Sequence, residues 1–502
     1  MNKTSLRSVI LGASLAILAS APLSAQFHKY VALGDSLTAA VEGTCVVERN
    51  QNNSYPKVIA GQLGITDFEQ PLVQELPLTD PLVGIPCKGA IFIPPSTVTV
   101  GNISQMGAPL NSLLPRPYDN LGMPGADTAD LVDLTTGNLN GTTAEKSAAL
   151  VLRNVPGSPF AGLNAVTEAN LLSPDLVSLW IGNNDLLGAA LSGVALDGVT
   201  LTPVPVFTAK YEEIVNDFVD VDYPVVSRLI AANIPDVTAI PLTTTIPAVL
   251  VDPSTRRPVT IGGELVPLLG EGDDQFPCTP VAPDQGCPLP PGTLVTLPAS
   301  AWLAQGVGVP VAAGGTGLPL PNGRFVPPAT LEAGVTLYPA EVSAIRDRID
   351  TLNQVIGDTI AAHPRAVLVD IHGIYNDIKA NGYLIGGITL TADFLTGGIF
   401  SADGFHPSSI GYTIVADEFI KTLNVAGNMD IERPDFSEIL FAPNVPVTGE
   451  SARDGGIWGY SLEMWRSLLA TAAPAHGLRI ELPVLQGEPR GGGRRTRVVS
   501  RD

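Results

Sequence analysis

The chain has 502 residues, 28 Lys+Arg against 49 Asp+Glu, and a formal net charge of −21. An apolar share of 45% is enough for a sizeable core and excludes wholesale disorder. The acidic excess repels phosphate backbones and anionic headgroups, which argues against nucleic acid as a partner.

The first 25 residues read as a secretory signal peptide. Lys3 and Arg7 form a positive start, Val9 to Leu23 an apolar stretch broken by Gly12 and Pro22, and Leu23, Ser24 and Ala25 a small-residue cleavage site before Gln26. The apolar run is too short for a comfortable membrane span, and no later stretch is long and apolar enough. The expectation is a secreted or periplasmic, soluble protein with no transmembrane segment and, after cleavage, 26 basic residues against 49 acidic ones, a net charge of −23.

Along the mature chain, short apolar runs at Tyr30–Gly34, Leu176–Ile181, Val237–Leu242 and Ala366–Ile371 predict buried parallel strands, with a shorter run at 118–121. Between them lie helical patterns. Ser54 can cap a helix that carries Val58, Ile59 and Leu63 and stops at Gly64. Tyr211 to Ile230, interrupted at Pro224, and Glu341 to Ile360 have helical period. Ile410, Ile414, Val415 and Phe419 repeat at helical spacing after Ser408 and Ser409. Strands alternating with helices predict βαβ units and a parallel sheet covered on both faces.

Two stretches break this rhythm. Residues 71–117 hold nine Pro, and residues 251–330 hold 15 Pro and 12 Gly, too many for regular helices. Both read as insertions near the active-site end of the sheet, the second reaching to about residue 338. Leu265, Val266, Leu268, Leu269, Phe276 and Trp302 in the second can line an acyl-chain groove or form a small core of its own, the core being the favoured reading. After residue 425 a C-terminal segment (426–502) carries Leu462, Trp465, Leu468 and Leu469 at helical spacing. Its end, Arg490 to Arg501, has five arginines in a Gly-rich tail that reads as disordered. Four cysteines, Cys45, Cys87, Cys278 and Cys287, suit disulfides in an exported chain. Cys278 with Cys287 is the favoured pair, leaving Cys45 with Cys87; without C-x-x-C spacing or a nearby His, zinc is disfavoured.

Reactive groups in open α/β sheets gather beyond the carboxyl ends of the strands. The first strand is followed by Gly34, Asp35, Ser36, Leu37 and Thr38, the run at 118–121 by Gly122 to Thr128, and the third by Gly182, Asn183, Asn184 and Asp185. Asp403, Gly404, Phe405, His406, Pro407 and Ser408 precede the last core helix. A serine hydroxyl needs a base to take its proton, and the base needs a carboxylate to hold its tautomer. Asp403 and His406, three residues apart, can supply both to Ser36. A backbone N–H at a Gly and the amide of Asn184 can receive the charge that builds on an ester carbonyl oxygen. His372, just after a strand, is the rival base but has no carboxylate in a comparable turn. Five histidines without paired spacing argue against a metal enzyme.

These residues resemble the SGNH (GDSL) hydrolase family, in its exported bacterial type. The first block looks like Gly34-Asp35-Ser36-Leu37, the second like Asn120 to Gly125, the third like Gly182-x-Asn184-Asp185 and the last like Asp403-x-x-His406, all in family order. The resemblance covers roughly residues 28–424. It implies a three-layer α/β/α sandwich with a flavodoxin-like parallel sheet of about five strands in one catalytic domain over 26–425. It also implies ester hydrolysis through an acyl-serine on Ser36, His406 and Asp403. The oxyanion donors would be the Ser36 and Gly125 N–H groups and the Asn184 amide; Gly122 competes with Gly125, which fits better five residues after Asn120. The implied protein is a monomer acting on small-molecule or lipid esters without a cofactor. Acyl transfer from the same acyl-serine, polysaccharide deacetylation and a silent binding scaffold are the alternatives.

Overall fold

The computed structural model describes residues 27–43, 46–73, 110–139, 141–219, 228–252, 255–272, 285–401, 403–437, 465, 469, 479–483 and 498–499. Five strands form the central sheet: β1 (Tyr30–Gly34), β2 (Asn120–Gly122), β3 (Leu176–Trp180), β4 (Arg228–Ala232) and β5 (Ala366–Val369). All pair in parallel in the order β2-β1-β3-β4-β5, the flavodoxin-like arrangement. Side chains alternate across each strand, so an apolar run feeds two cores at once. Val31, Leu33, Val177, Leu179 and Leu229 enter one; Tyr30, Ala32, Trp180 and Ile230 enter the other.

Seven helices position the site. The first core is covered by α2 (Ala165–Leu171), α3 (Asn184–Ser192), α4 (Val204–Val219) and α5 (Pro339–Ala361), and the second by α1 (Tyr55–Gln62) and α7 (Ser409–Gly427). The helix α6 (Ile371–Asn381) puts Ile371 in one core and Tyr375 in the other. Ser54 caps α1 by accepting from Lys57 N at 3.2 Å, and Ser408 caps α7 by accepting from Gly411 N at 3.1 Å. Among the described residues no helix is long and apolar enough to cross a membrane.

Three expectations are corrected. The run Val237–Leu242 is not a strand: it leads into a single helical turn, Pro241–Thr244. The fourth strand is Arg228–Ala232, which overlaps the end of the segment Tyr211 to Ile230 expected to be helical, and α4 ends at Val219. A short apolar run suits a strand buried on both faces or a buried loop equally, and the slot beside β3 decides between them. Among the described residues the second insertion does not form a core of its own: Leu268 and Trp302 join the main α/β core while Leu265 lies exposed. Its chain runs through ladders of two or three residues, as its Pro and Gly content demands.

The C-terminal segment is stitched to that insertion. Arg479–Glu481 pairs in parallel with Thr330–Glu332, and Trp465 lies edge-on to Trp302 while donating to Leu191 O at 3.0 Å. Leu469 is buried, whereas Leu462 and Leu468 lie outside the described residues. The expected disordered tail contributes Val498–Val499 to this sheet, where the free edge of Arg479–Glu481 accepts it. The signal-peptide stretch, most of the first insertion, Phe276, Cys45, Cys87 and Cys278 lie outside the described residues; Cys287 is buried.

Glu168 on α2 is fully buried with neither carboxyl oxygen hydrogen-bonded to the described residues. Burial pushes it up to about 8 against the pull of Arg153. The folded chain therefore keeps a proton that the unfolded chain releases above about 4.5, and stability falls as pH rises between those values. Urea unfolding at pH 5 and pH 8 is expected to show wild type losing about 3 kcal/mol more than Glu168→Gln over that interval. Equal losses would remove the assignment.

Candidate active site

The nucleophile turn begins where β1 ends. Gly34 lies in register with Gly122 on one side and Trp180 on the other. A Cβ at Gly34 would lie 2.2 Å from Thr38 Oγ1 and 2.3 Å from Trp180 O, so only glycine lets the chain fold back here. The turn closes through Ala39 N to Asp35 O at 3.1 Å and Val41 N to Ser36 O at 3.0 Å. This sets Ser36 at the carboxyl edge of the sheet, 2% exposed.

His406 reaches the same point from the loop before α7. Its Nε2 lies 3.0 Å from Ser36 Oγ, and its Nδ1 lies 2.8 Å from Asp403 Oδ2. The carboxylate accepts, so Nδ1 carries the proton and Nε2 presents its lone pair to the hydroxyl. Asp403 is fully buried, and its Oδ1 accepts from Ser401 Oγ at 3.0 Å, Phe405 N at 2.9 Å and His406 N at 2.8 Å. Burial alone would raise this carboxyl. The His406 ring and the hydrogen bonds outweigh it and hold Asp403 below the usual carboxylate range. The same loop is tied to the nucleophile turn by Gly43 N donating to Ser401 Oγ at 3.0 Å and by Tyr412 OH donating to Val41 O at 2.6 Å.

The other two loops are drawn in by the same kind of bond. Met123 N donates to Gly34 O at 2.8 Å, and the Asn120 amide donates to Thr38 O at 2.9 Å. Gly125 follows in a left-handed conformation, φ 82°, that favours glycine. Asn184 opens α3 and gives one amide hydrogen to Ala126 O at 2.8 Å, which leaves its second N–H available. Neither the Ser36 N–H nor the Gly125 N–H is used in a hydrogen bond among the described residues. Gly122, the rival in this block, is a strand residue whose Cβ would meet Ala39 N at 2.4 Å.

Ser36, His406 and Asp403 are thus directly bonded in series, and a hydrogen bond joins the Gly125 loop to Asn184. His372 is elsewhere: its Nδ1 lies 3.1 Å from Ile234 O, beyond β4. Asp185 bonds Thr128 N at 3.0 Å and Thr128 Oγ1 at 2.8 Å, and burial followed by the nearby Asp127 pushes it up to about 8. Sequence reasoning passed over Ser401 and the amide of Asn183, which bonds Asp35 Oδ2 at 2.9 Å. The Asn183 bond has no local signal, since Asp35 comes from another strand end; Ser401 lies two residues before Asp403, and that spacing is the signal that was available. Among the described residues no cluster of His, Cys, Asp and Glu is arranged to hold a metal.

The family described as GDSL-like Lipase/Acylhydrolase matches residues 30–419, which take in every residue of this site. Similar solved structures include an alpha/beta hydrolase enzyme from the metagenome of Lake Arreo, Spain, at 12% identity, with 80% of this chain and 96% of that chain covered and a TM-score of 0.32. An extracellular lipase from Streptomyces rimosus follows at 14% identity, 80% and 99% coverage and a TM-score of 0.28. No curated protein matches the chain.

A fluorophosphonate reagent is expected to label Ser36, and Asp403→Asn to slow that labelling by about 10³-fold or more, because the imidazole then loses its tautomer. Peptide mapping that finds the label on another serine, or an unchanged rate in Asp403→Asn, would separate this geometry from nucleophile activation.

Proposed function

Because the chain belongs to the GDSL-like lipase/acylhydrolase family and so is an ester hydrolase, we propose that it is an exported one that cleaves carboxylic esters through an acyl-serine on Ser36. One observation carries the reading: the unbroken series Ser36 Oγ to His406 Nε2 at 3.0 Å and His406 Nδ1 to Asp403 Oδ2 at 2.8 Å. As Ser36 Oγ attacks the carbonyl carbon, its proton passes to His406 Nε2. The carbonyl oxygen, now an anion, takes hydrogen bonds from the Ser36 N–H, the Gly125 N–H and the Asn184 amide. His406 returns the proton to the leaving alcohol oxygen as the C–O bond breaks. Water repeats the sequence on the acyl-serine, with Asp403 ionised throughout.

An apolar pocket supports hydrophobic acyl chains as the substrate class. It adjoins the site through Leu37, Asn183, Phe405 and Pro407, the chain neighbours of Ser36, Asn184 and His406. Ile374, Tyr375, Ile399 and Ile414 continue its wall. Most of its polar borders are occupied elsewhere, Tyr375 OH on Ala239 O at 2.9 Å, Trp180 Nε1 on Asn233 O at 3.2 Å and Glu418 on Lys421 Nζ at 2.7 Å, while Asn183 Oδ1 is buried without a partner among the described residues. Such a lining offers a charged or sugar-like group little in exchange for its water. Export rests on the composition of residues 1–25. A disulfide between Cys287 and Cys278 is part of the same proposal and rests on their closeness in sequence.

Hydrolysis of p-nitrophenyl esters from acetyl to palmitoyl tests the reading. Turnover is expected to fall on the order of 10⁶-fold in Ser36→Ala and 10²–10³-fold in Asn184→Ala. It should peak beyond acetyl, and Ile374→Trp should move the peak toward shorter chains. A peak at acetyl would overturn the acyl-chain assignment and leave the esterase; wild-type turnover in folded Ser36→Ala would overturn both.

A further inference from the structure

We propose that Asp35 and Asn183 are a positioning pair that sets the nucleophile turn against the Asn184 turn, and thereby fixes two oxyanion donors relative to each other. The inference rests on the ester-hydrolase reading of the same site. Asp35 immediately precedes Ser36, and Asn183 immediately precedes Asn184. Asp35 is fully buried; its Oδ1 accepts from Leu37 N at 2.9 Å, and its Oδ2 accepts from the Asn183 amide at 2.9 Å. One carboxylate thus holds the residue after the nucleophile and the residue before the amide donor. Neither side chain is bonded to Ser36 Oγ or to the imidazole, so both are positioning residues.

The orientation of Asn183 argues that this bond outranks the alternatives open to it. The residue is 2% exposed, and its Oδ1 is buried without a partner among the described residues. Leaving a buried amide oxygen unserved is unfavourable, and Asn183 keeps that arrangement while its N–H faces the Asp35 charge. A flipped amide would turn its oxygen against a carboxylate oxygen instead. Burial pushes Asp35 up to about 6 against the pull of the Asn183 amide, the Leu37 N–H and His406, so at neutral pH the acceptor is the ionised form.

Beyond this bond and the ladder of β1 with β3, which ends at Gly34 and Trp180, the described residues tie the two turns together only by way of the Gly125 loop. Ser36 is linked to the Gly125 loop through Met123 N on Gly34 O, and that loop to Asn184 through Ala126 O. The bond between Asp35 and Asn183 closes this path into a ring, which fixes the spacing of the Ser36 N–H and the Asn184 amide. Small misplacements of such groups cost on the order of 10²-fold in rate.

Asn183→Leu, Asn183→Asp and the exchanged pair Asp35→Asn/Asn183→Asp separate positioning from mere stability. In the full chain, both single variants are expected to lower kcat by about 10–100-fold with KM little changed, and to slow fluorophosphonate labelling of Ser36 by a similar factor. The exchanged pair restores one carboxylate facing one amide and should return to within about tenfold of wild type. A folded Asn183→Leu with wild-type kcat and labelling rate would overturn the pair, as would a loss confined to melting temperature. An exchanged pair that folds and recovers nothing would also overturn it. Labelling keeps this test independent of the substrate: a wild type that turns over no ester yet is labelled, with labelling slowed in Asn183→Leu, fails the ester reading and supports the pair.

Discussion

The site depends on one buried negative charge, that of Asp403. A carboxylate removed from water favours its neutral form. Three hydrogen bonds to one oxygen, and the imidazole on the other, reverse that preference. As long as Asp403 stays ionised, the proton of His406 stays on Nδ1 and the lone pair on Nε2 stays aimed at Ser36. Two of the three donors are the backbone N–H groups of Phe405 and His406, so the fold of this short loop and the charge at its start stabilise each other.

Three carboxyls at this edge of the sheet are fully buried, and they differ by what surrounds them. Asp403 stays low with four hydrogen bonds, one of them from the imidazole; Asp35, with two, is lifted to about 6. Asp185, with one oxygen served by Thr128 and another carboxylate nearby, is lifted to about 8. Burial raises all three, and what acts beside it separates them: hydrogen bonds and the imidazole oppose it at Asp403 and Asp35, whereas at Asp185 the nearby Asp127 adds to it. The edge therefore holds an anion where the imidazole needs orienting, and at Asp185 a carboxyl pushed toward its neutral form.

Much of this was readable in the chain because the chemistry is local. Gly34 to Thr38, Gly182 to Asp185 and Asp403 to Ser408 each pack a turn former and polar groups into a few residues, the last two with a helix start beside them. Those features survive without knowledge of the rest. The α/β layering was equally legible from apolar runs such as Tyr30–Gly34 and from the caps Ser54 and Ser408. What was not legible depends on distant partners. Arg228–Ala232 and Val237–Leu242 are similar apolar runs, and only the slot beside β3 distinguishes strand from loop. Leu268 and Trp302 carry no mark of the core they join, since the partners are Trp465 and strands far away in sequence. The bond between Asp35 and Asn183 spans two strand ends, so neither residue signals the other.

The bond between Ser36 Oγ and His406 Nε2 closes a loop of 370 residues. Bringing such remote points together costs chain entropy that only a formed sheet can offset. A chain emerging from its amino end displays its serine early and receives its base only after β5, α6 and the Asp403 loop are in place. On the proposed reading of the site, reactivity is therefore withheld by order of synthesis: until the last core helix docks, the hydroxyl is an ordinary alcohol. No separate inhibitory segment is needed to keep the growing chain inert.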